Sequence, residues 1–494
     1  MRDEKNSNNN VFIKIITNSY FREIIIYIYI FLLPNRQNKY NKKKINNFFK
    51  ILYLFLFLFF FRIYILNIYN NNNRKIYYSY IKYKIYNRIK TKKFFKNIKI
   101  GLYLYSISNG GRERVTALLI NKYQEKIFDI YLFTNTNKNP SEYEIPDGIF
   151  RIKIEGTEDL INELTKNKID ILIYEEYVIK EMEALNCLKN VKIIFYNHST
   201  FIFWIYYKDY FYFKSLYDQY RKSKYIISLI PFENDFLFKK WNINSILMNN
   251  FITYNYENVI PSNLTSRTII MIGRASDRLK RFELGIRAMK YIVKEINDCE
   301  MTIISLLDES TYYLMDLVEK LDLKKNIKFV GFTSKPEVYY KNASLHIFPS
   351  IIECFPMVLS ETKIYGIPNI IVGIDYLSTA KGGVININND NPEDIAKEAI
   401  KIIKDYNYRK KLGEKARKSM KKFKNELTKR RWVELILAIY NGEYFYNKLK
   451  NDKNKISKKE AINQLKKQIK LMKMRIPKTQ NISINDILNM NFTF

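Results

Sequence analysis

The sequence predicts an α/β protein whose parallel, doubly wound sheets are divided between two domains. Three observations carry that prediction. Short apolar runs alternate with helical stretches from Ile98 onward, the pattern of strands joined by helical crossovers. The length, 494 residues, allows two sizeable domains plus extensions, and 47% hydrophobic and 16% aromatic residues supply their cores. Several apolar runs also end in loops bearing charged or glycine-rich segments, at the carboxyl edge where open α/β sheets bind ligands.

Residues 1–95 form a basic extension with apolar runs. Residues 1–100 hold 21 Lys and Arg against Asp3, Glu4 and Glu23, a net +18 out of +34 for the whole chain. Ile24–Leu33 is too short for an ordinary helix crossing, and the run from Ile51 reaches spanning length only by including Arg62. No small-residue cleavage site follows, so a secretory signal does not fit. Apolar stretches among Lys and Arg suit a membrane anchor or a segment lying against anionic lipid, on the cytoplasmic side; a low-complexity extension without a fixed role is the alternative. No nucleic-acid module accompanies the charge, so no nucleic-acid partner is expected. Cys187, Cys299 and Cys354 make no disulfide framework, which suits a reducing compartment. Two histidines, His198 and His346, are too few for a His-built metal site.

The first domain is placed at 96–262. Ile98–Tyr105 reads as a strand running into Ser106–Gly111 and then a helix from about Arg112 to Tyr123. A glycine turn at a helix amino terminus points free N–H groups outward and can seat an anion, which makes Gly110, Gly111 and Arg112 a candidate cleft loop. Further strands fall at Ile127–Phe133, Ile169–Tyr174, Val191–Tyr196 and Tyr225–Leu229. His198 follows the fourth of these five runs, on the ligand edge, and is a candidate functional residue; His346 lies inside an apolar strand and reads as a core residue.

The second domain is placed at 263–428. Strand Thr268–Ile272 leads into Gly273 and Arg274, with Lys280 six residues further on. An Arg fork and a Lys point charge at one sheet edge suit a diphosphate. After strands at Met301–Ser305 and Ile327–Phe332 comes LHIFPSIIECFPMVLSETKIYGIP, Leu345–Pro368. It reads as a buried strand, a turn bearing Glu353, and a helix opening near Pro356 that carries Glu361. Two spaced carboxylates suit a hydroxyl-rich ligand, each accepting more than one O–H bond. Lys381-Gly382-Gly383 is expected as a second cleft loop, and Pro392 opens a helix to Asp405. Tyr408–Tyr440 reads as helical. The basic tail, 451–494, carries an apolar stripe Ile462, Leu465, Ile469, Met472, Ile476 backed by Lys, read as a solvated terminal helix or a membrane-surface contact.

Glu353-Cys354-Phe355-Pro356 with Glu361 resembles the donor signature of retaining glycosyltransferases of family four, with Cys354 where the family usually has Gly. Gly273-Arg274…Lys280 is similar to the family's phosphate element, and Gly110-Gly111-Arg112-Glu113-Arg114-Val115 to its Gly-Gly-Ala-Glu-Arg-Val, Arg112 replacing Ala. The resemblance spans about residues 98–445 and is strongest from Gly273 to Pro368. It implies the GT-B fold, two Rossmann-like domains facing a cleft, and a retaining hexosyltransferase that moves a sugar from a nucleotide diphosphate sugar to a hydroxyl of a glycan or lipid-linked acceptor. It also implies that 429–450, the closing part of the helical span, crosses back to the first domain. It implies catalytic roles for His198, Arg274, Lys280 and Glu353. Donor binding would fall to Gly273, Arg274, Lys280, Phe355, Pro356 and Glu361, with no metal and no cofactor besides the donor. Two rivals are a dinucleotide-dependent oxidoreductase, which lacks here a G-x-G-x-x-G turn with a later acidic residue, and a catalytically silent, membrane-associated nucleotide-sugar or glycan binding module.

Overall fold

A computed structural model describes residues 98–108, 110–123, 128–207, 210–241, 243, 245–442 and 458–475. The basic extension, and the ends of the tail with Ile476, lie outside them. Among the described residues no helix is long and apolar enough to cross a membrane.

The strands form two parallel sheets. The first contains β1 (Ile98–Tyr103), β2 (Phe128–Thr134), β3 (Phe150–Lys153), β4 (Ile171–Tyr174), β5 (Lys192–Tyr196), β6 (Tyr225–Ser228) and β7 (Ser245–Leu247) in the order β3-β2-β1-β4-β5-β6-β7. The second contains β8 (Thr268–Ile272), β9 (Glu300–Ile304), β10 (Ile327–Val330), β11 (Leu345–Phe348), β12 (Asn369–Val372) and β13 (Val384–Ile387) in the order β10-β9-β8-β11-β12-β13. Central strands such as β4 and β11 are buried at every position, as a sheet covered on both faces requires. Each sheet reverses its strand order once, β1 lying between β2 and β4, and β8 between β9 and β11. Such a reversal opens a crevice at the carboxyl ends of the two strands beside it. The fold therefore marks two loci: the loops after β1 and β4, and the loops after β8 and β11.

Four helices bear on those loci: α1 (Gly111–Lys122), α2 (Phe201–Tyr207), α3 (Pro231–Trp241) and, carrying Glu361, α4 (Met357–Ile364). Pro356 stands at the amino-terminal cap of α4 with extended backbone (φ −67°, ψ 118°), where its missing N–H costs no helical bond.

Several sequence expectations need correction. Edge strands β3, β7 and β13 have three or four residues and too little alternation to be read. The helix expected over Tyr408–Tyr440 is interrupted: α5 (Tyr406–Ser419), a 3-10 turn Met420–Phe423, then α6 (Asn425–Asn441). No Gly or Pro announces that break; burial of Met420 and Phe423 sets it. Gly382 and Gly383 precede β13 and so lie at the amino edge of the sheet, away from the ligand edge. A Cβ on Gly383 would stand 2.3 Å from the Leu412 carbonyl of α5, so this loop serves helix packing.

Helix α6 packs on the first sheet: Trp432 meets Tyr196 edge to face at 5.2 Å, and Arg431 Nη2 donates to the Leu247 carbonyl at 2.9 Å. The tail helix α7 (Lys458–Arg475) turns Leu465 and Ile469 of the stripe inward and packs against α3. Gln468 Nε2 donates to the Gly373 carbonyl and Lys467 pairs with Asp375 at 2.7 Å, so this part of α7 docks on the body of the protein.

Two buried titratable groups give stability a testable pH dependence. Burial pushes Glu233 of α3 up from 4.5 to about 8, although its Oε1 accepts from the Phe201 N–H at 3.1 Å. Burial, with Lys422 adding repulsion, pushes Lys363 of α4 down from 10.5 to about 7, its Nζ donating to the Thr379 and Lys381 carbonyls. The folded state binds more protons than the unfolded at Glu233, so this contribution is complete below pH 4.5 and lost as pH rises through about 8. At Lys363 it binds fewer, so that contribution is complete above pH 10.5 and lost as pH falls through about 7. Melting temperatures of Glu233→Gln and wild type should therefore converge near pH 5, with the variant gaining relative to wild type toward pH 8.5. A difference that does not vary with pH contradicts this assignment.

Candidate active site

At the carboxyl end of β8, Gly273 takes φ +154°, a conformation that side-chain-bearing residues rarely adopt. Arg274 follows, 67% exposed, with Nη2 3.5 Å from Asp277. Asp277 caps the 3-10 turn Arg278–Lys280 through the Leu279 N–H, and this turn presents Lys280. Lys280 Nζ lies 2.5 Å from Glu353 Oε1 in the loop after β11, and the Ile351 N–H donates to the Leu279 carbonyl at 2.8 Å. The loops on either side of the β8/β11 reversal are thus laced together, with a cation and a carboxylate meeting between them.

The Glu353 loop is clamped from behind. Tyr376 OH donates to the Glu353 carbonyl at 2.7 Å and takes the Glu353 N–H at 3.2 Å, while the Tyr376 ring meets Phe232 of α3. Cys354 is buried and is not among the positive-φ residues, so its backbone needs none of glycine's freedom. Phe355 is also buried, edge-on to Phe423 at 5.5 Å.

Glu361, one turn into α4, is 1% exposed and carries three partners. Thr253 Oγ1 donates to Oε1 and Tyr340 OH to Oε2, each at 2.6 Å, and Arg114 Nη1 of α1 lies 3.0 Å from Oε1. A carboxylate offers about four acceptor positions, so Glu361 retains about one. Arg114 joins an element that follows β1 to the second sheet's α4, a link that no local pattern could reveal.

At the β1/β4 reversal the glycine turn serves a different purpose from an open anion seat. A Cβ on Gly110 would stand 1.7 Å from Glu113 Oε2, so glycine makes room for the carboxylate of Glu113 beside the amino terminus of α1. Arg112 bridges Glu113 at 3.0 Å and Glu176 at 2.9 Å, and donates to the Glu175 carbonyl. Arg112 is therefore held by acidic neighbours in its own domain. Glu175, beside it at the end of β4, is 0% exposed and accepts from Thr116 Oγ1 at 2.8 Å. His198 Nε2 is 2.9 Å from Glu175 Oε2, within ion-pair range though off the line of a hydrogen bond. His198 thus joins the first locus, whereas His346 sits in the core, its Nδ1 2.6 Å from Asn369 Oδ1, and burial pushes it down to about 4.

Sequence reading missed Glu175, Glu176, Arg114 and Tyr376. The first two had a signal: paired carboxylates directly after the apolar run Ile171–Tyr174. Among the described residues no group of three or more His, Cys, Asp or Glu could hold a metal ion.

Residues 255–419 match the family described as Glycosyl transferases group 1. That match covers about a third of the chain, and the two parallel sheets make the GT-B fold. Among curated proteins, an uncharacterized glycosyltransferase of Methanocaldococcus jannaschii is 25% identical over 171 residues, 34% of this chain. That match spans 43% of the relative's length, less than half of it. Among solved structures, sucrose-phosphate synthase from Thermosynechococcus elongatus superposes with a TM-score of 0.61 at 16% identity, over 70% of this chain and 99% of that one. HepE of Anabaena, solved in complex with UDP and glucose, gives 0.56 at 10% identity, over 69% and 99%.

Proposed function

We propose that the protein transfers a hexosyl group from a nucleotide diphosphate sugar to a hydroxyl of a glycan or lipid-linked acceptor, with retention at the anomeric carbon. The observation that carries this reading is the Lys280–Glu353 contact at the β8/β11 reversal, with Arg274 exposed on the same edge. The donor's diphosphate would lie against Arg274 and Lys280. As the bond from the anomeric carbon to the phosphate oxygen breaks, its electron pair stays on the phosphate, and these two cations stabilise the growing charge. The acceptor oxygen would bond to the anomeric carbon on the face the phosphate leaves, passing its proton to the departing phosphate oxygen. Glu353 keeps acceptor capacity for hydroxyls of the sugar, and Glu361 for a ribose hydroxyl. The basic, apolar extension supports peripheral or anchored attachment to the cytoplasmic face of a membrane.

The complex of the Anabaena neighbour makes UDP-glucose the first donor to try. Proton NMR of the reaction, with water or an added sugar as acceptor, should show the product's anomeric signal in the donor's configuration. An inverted product would overturn the retaining assignment. Binding without any product would favour the silent module.

A further inference from the structure

The pair formed by Glu175 and His198 has a task that donor binding does not explain. Glu175 is fully buried at the β1/β4 reversal, and Thr116 Oγ1 lies 2.8 Å from both of its oxygens. Its backbone carbonyl is tied down by Arg112 Nη1 at 3.0 Å. Both ties come from α1, Thr116 holding the carboxylate and Arg112 the backbone behind it. The His198 ring is fixed from other directions. The ring lies tilted at 44° against Tyr196, ring centres 4.0 Å apart, and the backbone N–H donates to Tyr177 OH at 2.8 Å. Nε2 lies 2.9 Å from Glu175 Oε2, off the line of a hydrogen bond, so the carboxylate acts on the ring through its charge. Which ring nitrogen of a histidine carries the proton is set by the partner at the other nitrogen. A carboxylate at Nε2 favours the proton there and leaves Nδ1 as an acceptor.

We propose that Glu175 is a positioning residue for the transfer reaction. It holds His198 by Nε2, so that Nδ1 is the atom offered to a sugar hydroxyl. The proposal rests on the sugar-transfer reading above, and it assigns His198 the role of hydrogen-bond acceptor. Thr116 belongs to the same device, since its hydroxyl keeps the carboxylate from turning away.

The chain's two histidines make the test direct. In full-length protein labelled with ¹⁵N-histidine, His198→Asn assigns the ring signals, and the remaining set belongs to His346. In wild type at pH 8, His198 should show a single tautomer with the proton on Nε2. Glu175→Leu should turn this into a mixture in which the two nitrogens approach each other in shift, while the His346 signals stay in place. Because Glu175→Leu leaves the Thr116 hydroxyl only the Arg112 carbonyl at 3.2 Å, a Thr116→Val/Glu175→Leu double variant replaces both side chains with apolar groups and should give the same ring signals. With a nucleotide sugar, Glu175→Leu should lower kcat about 100-fold, the cost of a misplaced group. Donor KM should stay within about twofold, as for an interaction absent from donor binding. Glu175→Gln, which keeps an acceptor oxygen, should recover part of the rate. Unchanged His198 signals in both leucine variants would overturn the proposal. If no nucleotide sugar is turned over, the reaction class falls, and the ring signals still decide whether Glu175 orients His198.

Discussion

Replacing Arg274 by alanine is expected to lower donor turnover about 100- to 1000-fold, the loss seen when one preorganised donor to a developing oxyanion is removed. The melting temperature should hardly move. Arg274 is mostly exposed and its contact with Asp277 is at 3.5 Å, a surface pair that contributes little to stability. Lys280→Ala should lower turnover in the same direction but also destabilise the fold. It strands the half-buried Glu353, which sits 2.5 Å from Lys280 Nζ. Under the proposed chemistry both cations would answer to one leaving group, but only Lys280 helps hold the Glu353 loop. Wild-type turnover in both variants would remove the diphosphate from this edge.

The second large effect belongs to Glu361. Glu361→Gln breaks its charge pair with Arg114 and leaves at least one of Tyr340 and Thr253 facing an N–H₂ group. Disrupting a buried pair of this kind costs about 3 kcal/mol or more, which calorimetric melting would resolve. The same variant should weaken nucleotide diphosphate binding roughly tenfold to a hundredfold, the value of a hydrogen bond to a charged group. Glu353→Gln should leave that affinity nearly unchanged while depressing transfer, since Glu353 lies in the loop assigned to the sugar. Arg114→Ala adds a sign to the test. With three partners already on Glu361, one ribose hydroxyl takes the remaining position, and a ribose that binds through both hydroxyls must displace a partner. Removing Arg114 should then tighten nucleotide diphosphate binding. Weaker binding in Arg114→Ala would make Arg114 itself a donor contact.

Much of this architecture was readable from the residues alone. The strand, turn and helix around Glu353 and Glu361 follow from an apolar run, a Pro at the helix start and a Gly at its end, all local signals. The cations at Arg274 and Lys280 were readable because a strand end and a short loop fix their place. What escaped was of two kinds. Short edge strands carry too few residues to show a period, and the break at Met420–Phe423 is imposed by burial of side chains that look ordinary in a helix. The other kind is long-range pairing. Arg114 meets Glu361, and Glu175 meets His198, only because the chain folds elements distant in sequence to one place. The purpose of Gly110 was hidden for the same physical reason: it makes room for the carboxylate of Glu113, which is seen only once the turn is built.

The central claim is that the edge holding Arg274, Lys280 and Glu353 cleaves a nucleotide diphosphate sugar. The most direct measurement is release of nucleotide diphosphate from a panel of UDP-, GDP-, ADP- and dTDP-sugars, run beside Arg274→Ala. We expect release from at least one sugar in wild type, reduced about 100-fold or more in the variant. Release that is equal in the two proteins, or absent across the whole panel, would contradict it.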